Sequence, residues 1–365
     1  MLRKTLLSLI LSATTALTFA NERTDSVVEA FMQKHDIPGV AITVCRNEQV
    51  IFSKGYGTID GTAPATDSTL FRVASLSKQF TAVAVMKLVE QQRLSLDSKV
   101  LGKGGILEEE FGTDVPQQAT EVTVRNLLQH NSGWSSEVDD PMFPELPDSP
   151  YEGKNLHDRI AYMLAHDPQT YPTASHYAYC NIGYGMLGMV IEKVSGMEYE
   201  AFLKRYVLEP AGIKDIHVGG DKSGRCANET VYYSQDGTDG YLNDMQMIKA
   251  AGGLIASSRE MARFMCSLDY GTTVPDVLTP GQLDQLYTPA PCYDGYGLGC
   301  CLNPATLKDW ASYHTGGLSG TATVWSRGKD GVVGVLLCNS YSNREGFGQE
   351  LCEALHEVEK TLDVE

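Results

Sequence analysis

The sequence predicts a mixed α/β fold: an antiparallel sheet flanked by helices, with an all-helical part inserted between the two halves of the sheet. Three observations lead there. Strand-like apolar runs cluster near both ends of the chain. Between about 95 and 245 strand signals are sparse, and Pro, Gly and Asp clusters such as "DDPMFPELPDSP" break up short helical stretches. The segment 76–91 is apolar on nearly every side, which places it buried at the centre of the molecule. The α/β part is therefore expected to be discontinuous, about 21–90 and 246–365, with the helical part at about 91–245.

Taken in order, residues 25–35 read as a helix, with Val27, Val28, Phe31 and Met32 on one face and Asp25 able to cap the start. "GVAITVC" (39–45) and "VIFSKGYG" (50–57), joined by Arg46-Asn47-Glu48, read as a β-hairpin. A helix from about Ile182 to Val194 stops at Gly196. It carries Gly183, Gly185 and Gly188. Each glycine costs a helix about 1 kcal/mol against alanine, so close backbone packing is the expected offset. Residues 257–268 read as helical. "CYDGYGLGCCL", "TATVWSR" and "VVGVLLC" read as strands, with the turn "GKDG" between the last two. Phe347, Leu351, Leu355, Val358 and Leu362 mark a final amphipathic helix.

Composition excludes some classes of function. The chain has 365 residues, 42% hydrophobic and 21% charged, which is ordinary for a globular protein with a sizeable core. The net charge of −17 argues against nucleic acid or an anionic membrane as the main partner. "MLRKTLLSLILSATTALTFA" has a basic start, an apolar run too short to span a bilayer, and small residues at Thr18 and Ala20. It reads as a signal peptide (residues 1–20), so a secreted or periplasmic protein without a stable membrane anchor is expected. A monomer acting on a small-molecule or peptide substrate is expected. Asn228-Glu229-Thr230 is a glycosylation sequon, meaningful only in a eukaryotic secretory pathway. Nine cysteines are too few for a disulfide scaffold and their spacing assigns no pairs; the odd count leaves at least one thiol unpaired.

The stretch "FRVASLSKQF" (71–80) carries the chemistry. A core helix has little use for an ammonium group, yet Ser75 and Lys78 stand one turn apart at its start. The helix dipole favours negative charge developing at Ser75. Burial disfavours the protonated form of Lys78, and a neutral amine there can take the serine proton. S-x-x-K by itself is weak, and the chain contains a second copy, Ser326-Arg327-Gly328-Lys329. That copy spans a strand end and a turn, which cannot stack the two side chains on a helix.

An acylation site also needs a second proton carrier, an amide to orient substrate, and backbone N–H groups for the oxyanion. Y-x-N supplies the first two. Tyr179-Cys180-Asn181 directly precedes the glycine-rich helix, whereas Tyr241-Leu242-Asn243 and Tyr341-Ser342-Asn343 read as solvent-facing turns. For the strand, Lys222-Ser223-Gly224 sits among glycines and makes a poor one. His314-Thr315-Gly316-Gly317 leads into convincing strands, and its glycines let a substrate lie along the edge. The N–H groups of Ser75 and Gly317 are the expected oxyanion donors.

Together with these motifs, "FRVASLSKQFTAVAVMKLVEQQRLSLDSKV", "VRNLLQHNSGW", "YAYCNIGYGMLGMVIEKVSG", "YVLEPAGIKD", "AAGGLIASSREMARF", "YGLG" and "HTGG" occur in an order that resembles the serine β-lactamase and penicillin-binding protein family. The likeness is to its class C β-lactamase and D-alanyl-D-alanine carboxypeptidase branch. It implies a β-lactamase/transpeptidase-like fold with the site between an α/β and a helical part, and no cofactor or metal. It implies Ser75 as the acylated nucleophile, Lys78 as proton acceptor or electrostatic partner, and Tyr179 as general base or relay. Asn181 would bind the substrate amide, and His314, Thr315 and Gly316 would replace a lysine-containing third motif.

His314 is the departure. Where most class C β-lactamases carry a lysine, a histidine of ordinary pKa near 6.5 is mostly neutral at pH 7. It is expected to bond Tyr179 but to anchor an anion weakly, with any charge role emerging at acid pH. The resemblance therefore implies a serine acyl hydrolase of D-alanyl carboxypeptidase, esterase or amidase type. A class C-type β-lactamase and a non-catalytic penicillin-binding scaffold are the alternatives. A zinc hydrolase lacks its H-E-x-x-H, and an α/β-hydrolase lacks its G-x-S-x-G elbow. Cys180 is expected to be a small filler, and Trp134 and Tyr313 to belong either to a subsite or to the core.

Overall fold

The computed structural model describes residues 21–137, 140–143 and 148–363; the signal-peptide reading at 1–20 lies outside them. Helix α1 (21–35) leads into the hairpin β1 (Gly39–Arg46) and β2 (Gln49–Gly57). The other strands of the main sheet lie near the C-terminus: β3 (Cys301–Leu302), β4 (Trp310–Leu318), β5 (Thr321–Gly328) and β6 (Val332–Cys338). The sheet order is β2-β1-β6-β5-β4-β3, every neighbouring pair antiparallel, with Val40 opposite Cys338 where the two ends of the chain meet.

The two central strands are buried on both faces, which explains their continuous apolar sequences. Side chains still alternate between two cores. Val40, Ile42, Val44, Leu336 and Cys338 pack with Phe31 of α1 and with Phe347, Leu351 and Leu355 of the C-terminal helix (Phe347–Thr361). Ala41, Cys45, Val333, Val335 and Leu337 face the opposite core, which contains α2 (Ser77–Glu90) and the helix Ser258–Cys266. Phe80 and Phe264 stack there with ring centroids 3.8 Å apart. Residues 77–86 and Leu88 of α2 are buried, as the all-round apolar pattern predicts.

Helix α3 (Leu156–His166) and helix α4 (Asn181–Ser195) belong to the region between the two halves of the sheet, and α4 packs on α2. Gly196, in the left-handed conformation at φ 69°, ends α4. The packing role of its glycines holds at two of three positions. A Cβ on Gly185 would lie 2.7 Å from Met142 Cε, and one on Gly188 would lie 2.8 Å from Ala250 Cβ. At Gly183 the nearest atom is an ordinary 3.5 Å away.

"CYDGYGLGCCL" departs from its strand reading: only Cys301–Leu302 is strand. Gly299, at φ 81°, turns the chain against α2, where a Cβ would come within 2.9 Å of the Lys78 carbonyl oxygen. That approach replaces strand pairing. All nine cysteines are free thiols.

Candidate active site

Ser75 sits in a short 3₁₀ turn, Ala74–Leu76, that runs directly into α2. Ala74 before it has φ 48°, a left-handed value that costs a non-glycine residue about 1 kcal/mol or more. The turn is held on both sides. Val73 N–H bonds the Leu254 carbonyl at 2.9 Å, and Thr323 Oγ1 of β5 donates to the Val73 carbonyl at 2.9 Å. Strand β4 passes alongside at Gly316, where a Cβ would fall 2.7 Å from Val73 O and 3.0 Å from Ala74 Cβ. Glycine at 316 is thus the condition for the strand to lie against the nucleophile.

Two donors converge on Ser75 Oγ: Lys78 Nζ at 3.1 Å and Tyr179 OH at 3.0 Å. Lys78 is fully buried and also donates to Asn181 Oδ1 at 2.8 Å and to the Ala251 carbonyl at 2.7 Å. Burial pulls its ammonium down to about 7, against the opposing charge of Asp140. Tyr179 goes the other way: burial raises its phenol well above the ordinary value, although the Ser75 bond opposes this. At neutral pH the lysine is the group that changes protonation, and the tyrosine stays a donor.

The sequence-predicted residues divide into those that face the cleft and those that support it. An open cleft of about 1710 Å³ is lined by Ser75, Tyr179, Asn181 and Gly317, with Asp140, Asn243 and Tyr341 among its other walls. Lys78, His314 and Gly316 are buried behind that lining, and Thr315 is half-buried and not part of it. His314 does not bond Tyr179, and their rings lie 6.4 Å apart. Its Nδ1 lies 2.6 Å from the Thr315 carbonyl, which only accepts, so Nδ1 carries the proton and Nε2 accepts from Tyr296 OH at 3.0 Å. Burial and the Lys78 charge lower its pKa to about 3. His314 is held by these two bonds with its ring driven toward the neutral form, and Tyr296, not Tyr179, is its phenol partner.

Asn181 is likewise engaged: its Nδ2 donates to Asp140 Oδ2 at 2.6 Å while its Oδ1 holds Lys78. Cys180 is buried with its thiol pushed up to about 12, and it serves as filler. Trp134 lies in the core and Tyr313 packs on Trp310; neither lines the cleft. The other Y-x-N copies are not simple solvent-facing turns. Asn243, Tyr341 and Asn343 line the cleft, and Tyr241 turns its ring toward buried Arg72, 4.9 Å from the guanidinium carbon. Lys222-Ser223-Gly224 is an exposed turn closed by Asp221.

Two further residues belong to the site. His130, within "VRNLLQHNSGW", accepts Ala178 N–H on its carbonyl at 2.7 Å and Cys180 N–H on Nδ1 at 3.1 Å. Its ring lies 4.3 Å from that of Tyr179, so it clamps the Y-x-N loop from beneath. Asp140 has no local signature, because it reaches Asn181 only through the fold.

A serine whose hydroxyl is addressed by a buried amine and a phenol, at the junction of an antiparallel sheet and a helical layer, has the arrangement that serine enzymes with an S-x-x-K motif share. The chain belongs to the Beta-lactamase family, whose model matches residues 24–351. It is 26% identical over 193 residues to Protein flp of Staphylococcus aureus, an alignment covering 52% of this chain and 37% of that protein. The chain thus matches little more than a third of that relative's length. Among solved structures it resembles D-amino acid amidase from Ochrobactrum anthropi, with a TM-score of 0.77, 23% identity, and coverage of 94% of this chain and 98% of the other. It also resembles D-alanine carboxypeptidase AmpC from Burkholderia cenocepacia, with a TM-score of 0.73, 18% identity, and coverage of 94% and 99%. These likenesses confirm the expected fold.

Proposed function

We propose that the protein is a serine acyl hydrolase that works through an acyl-enzyme on Ser75. The observation that carries the reading is the convergence of Lys78 Nζ and Tyr179 OH on Ser75 Oγ. Neutral Lys78 takes the serine proton as Oγ attacks the carbonyl carbon, and the N–H groups of Ser75 and Gly317 receive the developing oxyanion. Tyr179 gives its proton to the leaving group as it is reprotonated by the Lys78 ammonium, so the phenol and the neutral amine are both restored before deacylation. Water then releases the acyl group.

The substrate is an ester, amide or peptide with a neutral or cationic group next to the scissile bond, ahead of β-lactams and C-terminal carboxylates. Neutral His314 supports this preference. So does Lys249 in the cleft wall, whose charge is paired with Glu192. Export to a secreted or periplasmic location is part of the same reading, and mass spectrometry of the mature N-terminus tests it.

The decisive experiment gives the purified protein p-nitrophenyl acetate and butyrate, nitrocefin, a D-Ala-D-Ala tripeptide and an amino-acid amide, and maps a fluorophosphonate adduct. The adduct is expected on the Ser75 peptide, with esters and amides turned over fastest. An adduct elsewhere overturns the nucleophile. Nitrocefin as the best substrate overturns the substrate class in favour of a β-lactamase.

A further inference from the structure

Asp140 is a carboxylate only 8% exposed at the edge of the cleft, and its hydrogen bonds run inward. Met142 N–H donates to Oδ1 at 2.8 Å, Asn181 Nδ2 donates to Oδ2 at 2.6 Å, and the Ser136 hydroxyl adds a third donor. A carboxylate only accepts, so the end of the Asn181 amide that faces it must be the NH₂. The carbonyl end is thereby turned to Lys78 Nζ, 2.8 Å away.

That orientation decides where the lysine lone pair points. Lys78 Nζ has three neighbours: Ser75 Oγ, Asn181 Oδ1 and the Ala251 carbonyl. When the ammonium loses a proton, the amide and backbone carbonyls, which only accept, keep the two remaining hydrogens. The lone pair is left facing the one neighbour that can donate, the Ser75 hydroxyl. With Asn181 flipped, its NH₂ would compete for that lone pair. The other titratable groups around Lys78 are Tyr179, Tyr184, Cys180, His130 and His314, all buried and shifted toward their neutral forms. Asp140 is the carboxylate facing them; burial raises its carboxyl too, opposed by the Asn181, Met142 and Ser136 donors and by the Lys78 charge.

We propose that Asp140 is a positioning residue for acylation: through the Asn181 amide it aims the Lys78 amine at Ser75 and supports the ammonium form with its charge. The inference rests on the acyl-enzyme reading above. It assigns a role to a residue that no sequence motif marks.

The test is the pH profile of kcat/KM on a p-nitrophenyl ester, together with the rate of fluorophosphonate labelling, in Asp140→Asn, Asn181→Ala and the double variant. Asp140→Asn is expected to lower kcat about 10–100-fold with KM moved less, and to shift the acid limb about one unit to lower pH. In the Asn181→Ala background, adding Asp140→Asn is expected to change kcat less than about twofold, because the link is already broken. An unshifted limb, or an equal loss in both backgrounds, overturns the proposal. Should Asp140→Asn fail to fold, Asp140→Ser is read the same way: a limb moved to lower pH supports the link and an unmoved one overturns it. Turnover surviving Ser75→Ala would sink the acyl-enzyme reading itself. Turnover that needs Ser75 but ignores Asp140→Asn sinks only the role of Asp140.

Discussion

The chain carries S-x-x-K twice, and the two copies fold into different objects. Ser75 and Lys78 lie on a 3₁₀ turn and the first turn of α2, so the amine reaches the hydroxyl at 3.1 Å. Ser326 lies in β5 and Lys329 in the turn after it. There the hydroxyl points into the core and donates to buried Glu359, while the lysine is exposed. Successive strand side chains alternate faces and a turn separates the pair further, so the same spacing makes no contact. A motif of this length acquires chemistry only from the helix that bends it into one face and the core that strips water from the amine.

The sharpest way to break the contrast is to remove each hydroxyl. Ser75→Ala is expected to lower kcat by roughly 10⁴–10⁶, and Ser326→Ala to leave kcat within about threefold, both read on a p-nitrophenyl ester. Next come the amines. Lys78→Met is expected to cost about 10³–10⁴ in kcat, and Lys329→Met to change nothing measurable. The pH profile belongs to the same test. With Lys78 held near 7, kcat/KM should rise about tenfold per pH unit below that point and level off above it, because only the neutral amine accepts a proton. A separate limb at pH 5–6 from His314 is not expected, since burial keeps that ring neutral.

A smaller effect sharpens the geometry around the first copy. Gly316→Ala would set a Cβ 2.4 Å from Thr323 Oγ1 and 2.7 Å from Val73 O, so β4 must shift away from Ser75. A loss of about 10² in kcat is expected, with about 1–3 kcal/mol of stability by denaturant titration. The smaller stability effect belongs to the second copy. Ser326→Ala removes a donor from buried Glu359, leaving Trp310 Nε1 among its partners at 2.7 Å, and should cost about 1–2 kcal/mol in the same titration.

Much of the fold was legible because local patterns and tertiary demands agree. The hairpin at 39–57, the all-buried α2 and the amphipathic C-terminal helix each carry a periodicity that matches their burial. The strand reading at 292–302 failed where glycines allow a turn to press on α2, a contact with a segment more than 200 positions away. At the site, Ser75, Lys78, Tyr179 and Asn181 were legible as motifs, and the structure brings all four together. The partner of His314 was not: Tyr296 takes the place expected of Tyr179, because the turn at 295–299 delivers it to the buried face of β4. Asp140 left no trace in its own neighbourhood.

By itself the sequence determined the elements, the family and the residue types that meet at the nucleophile, since periodicity, capping and short motifs are local properties of the chain. Only the tertiary structure decided which copy of each motif is used, which protonation states those residues hold, and which way the Asn181 amide faces. Those depend on desolvation and on acceptors contributed by distant segments, and no window of the sequence contains both sides of such a contact.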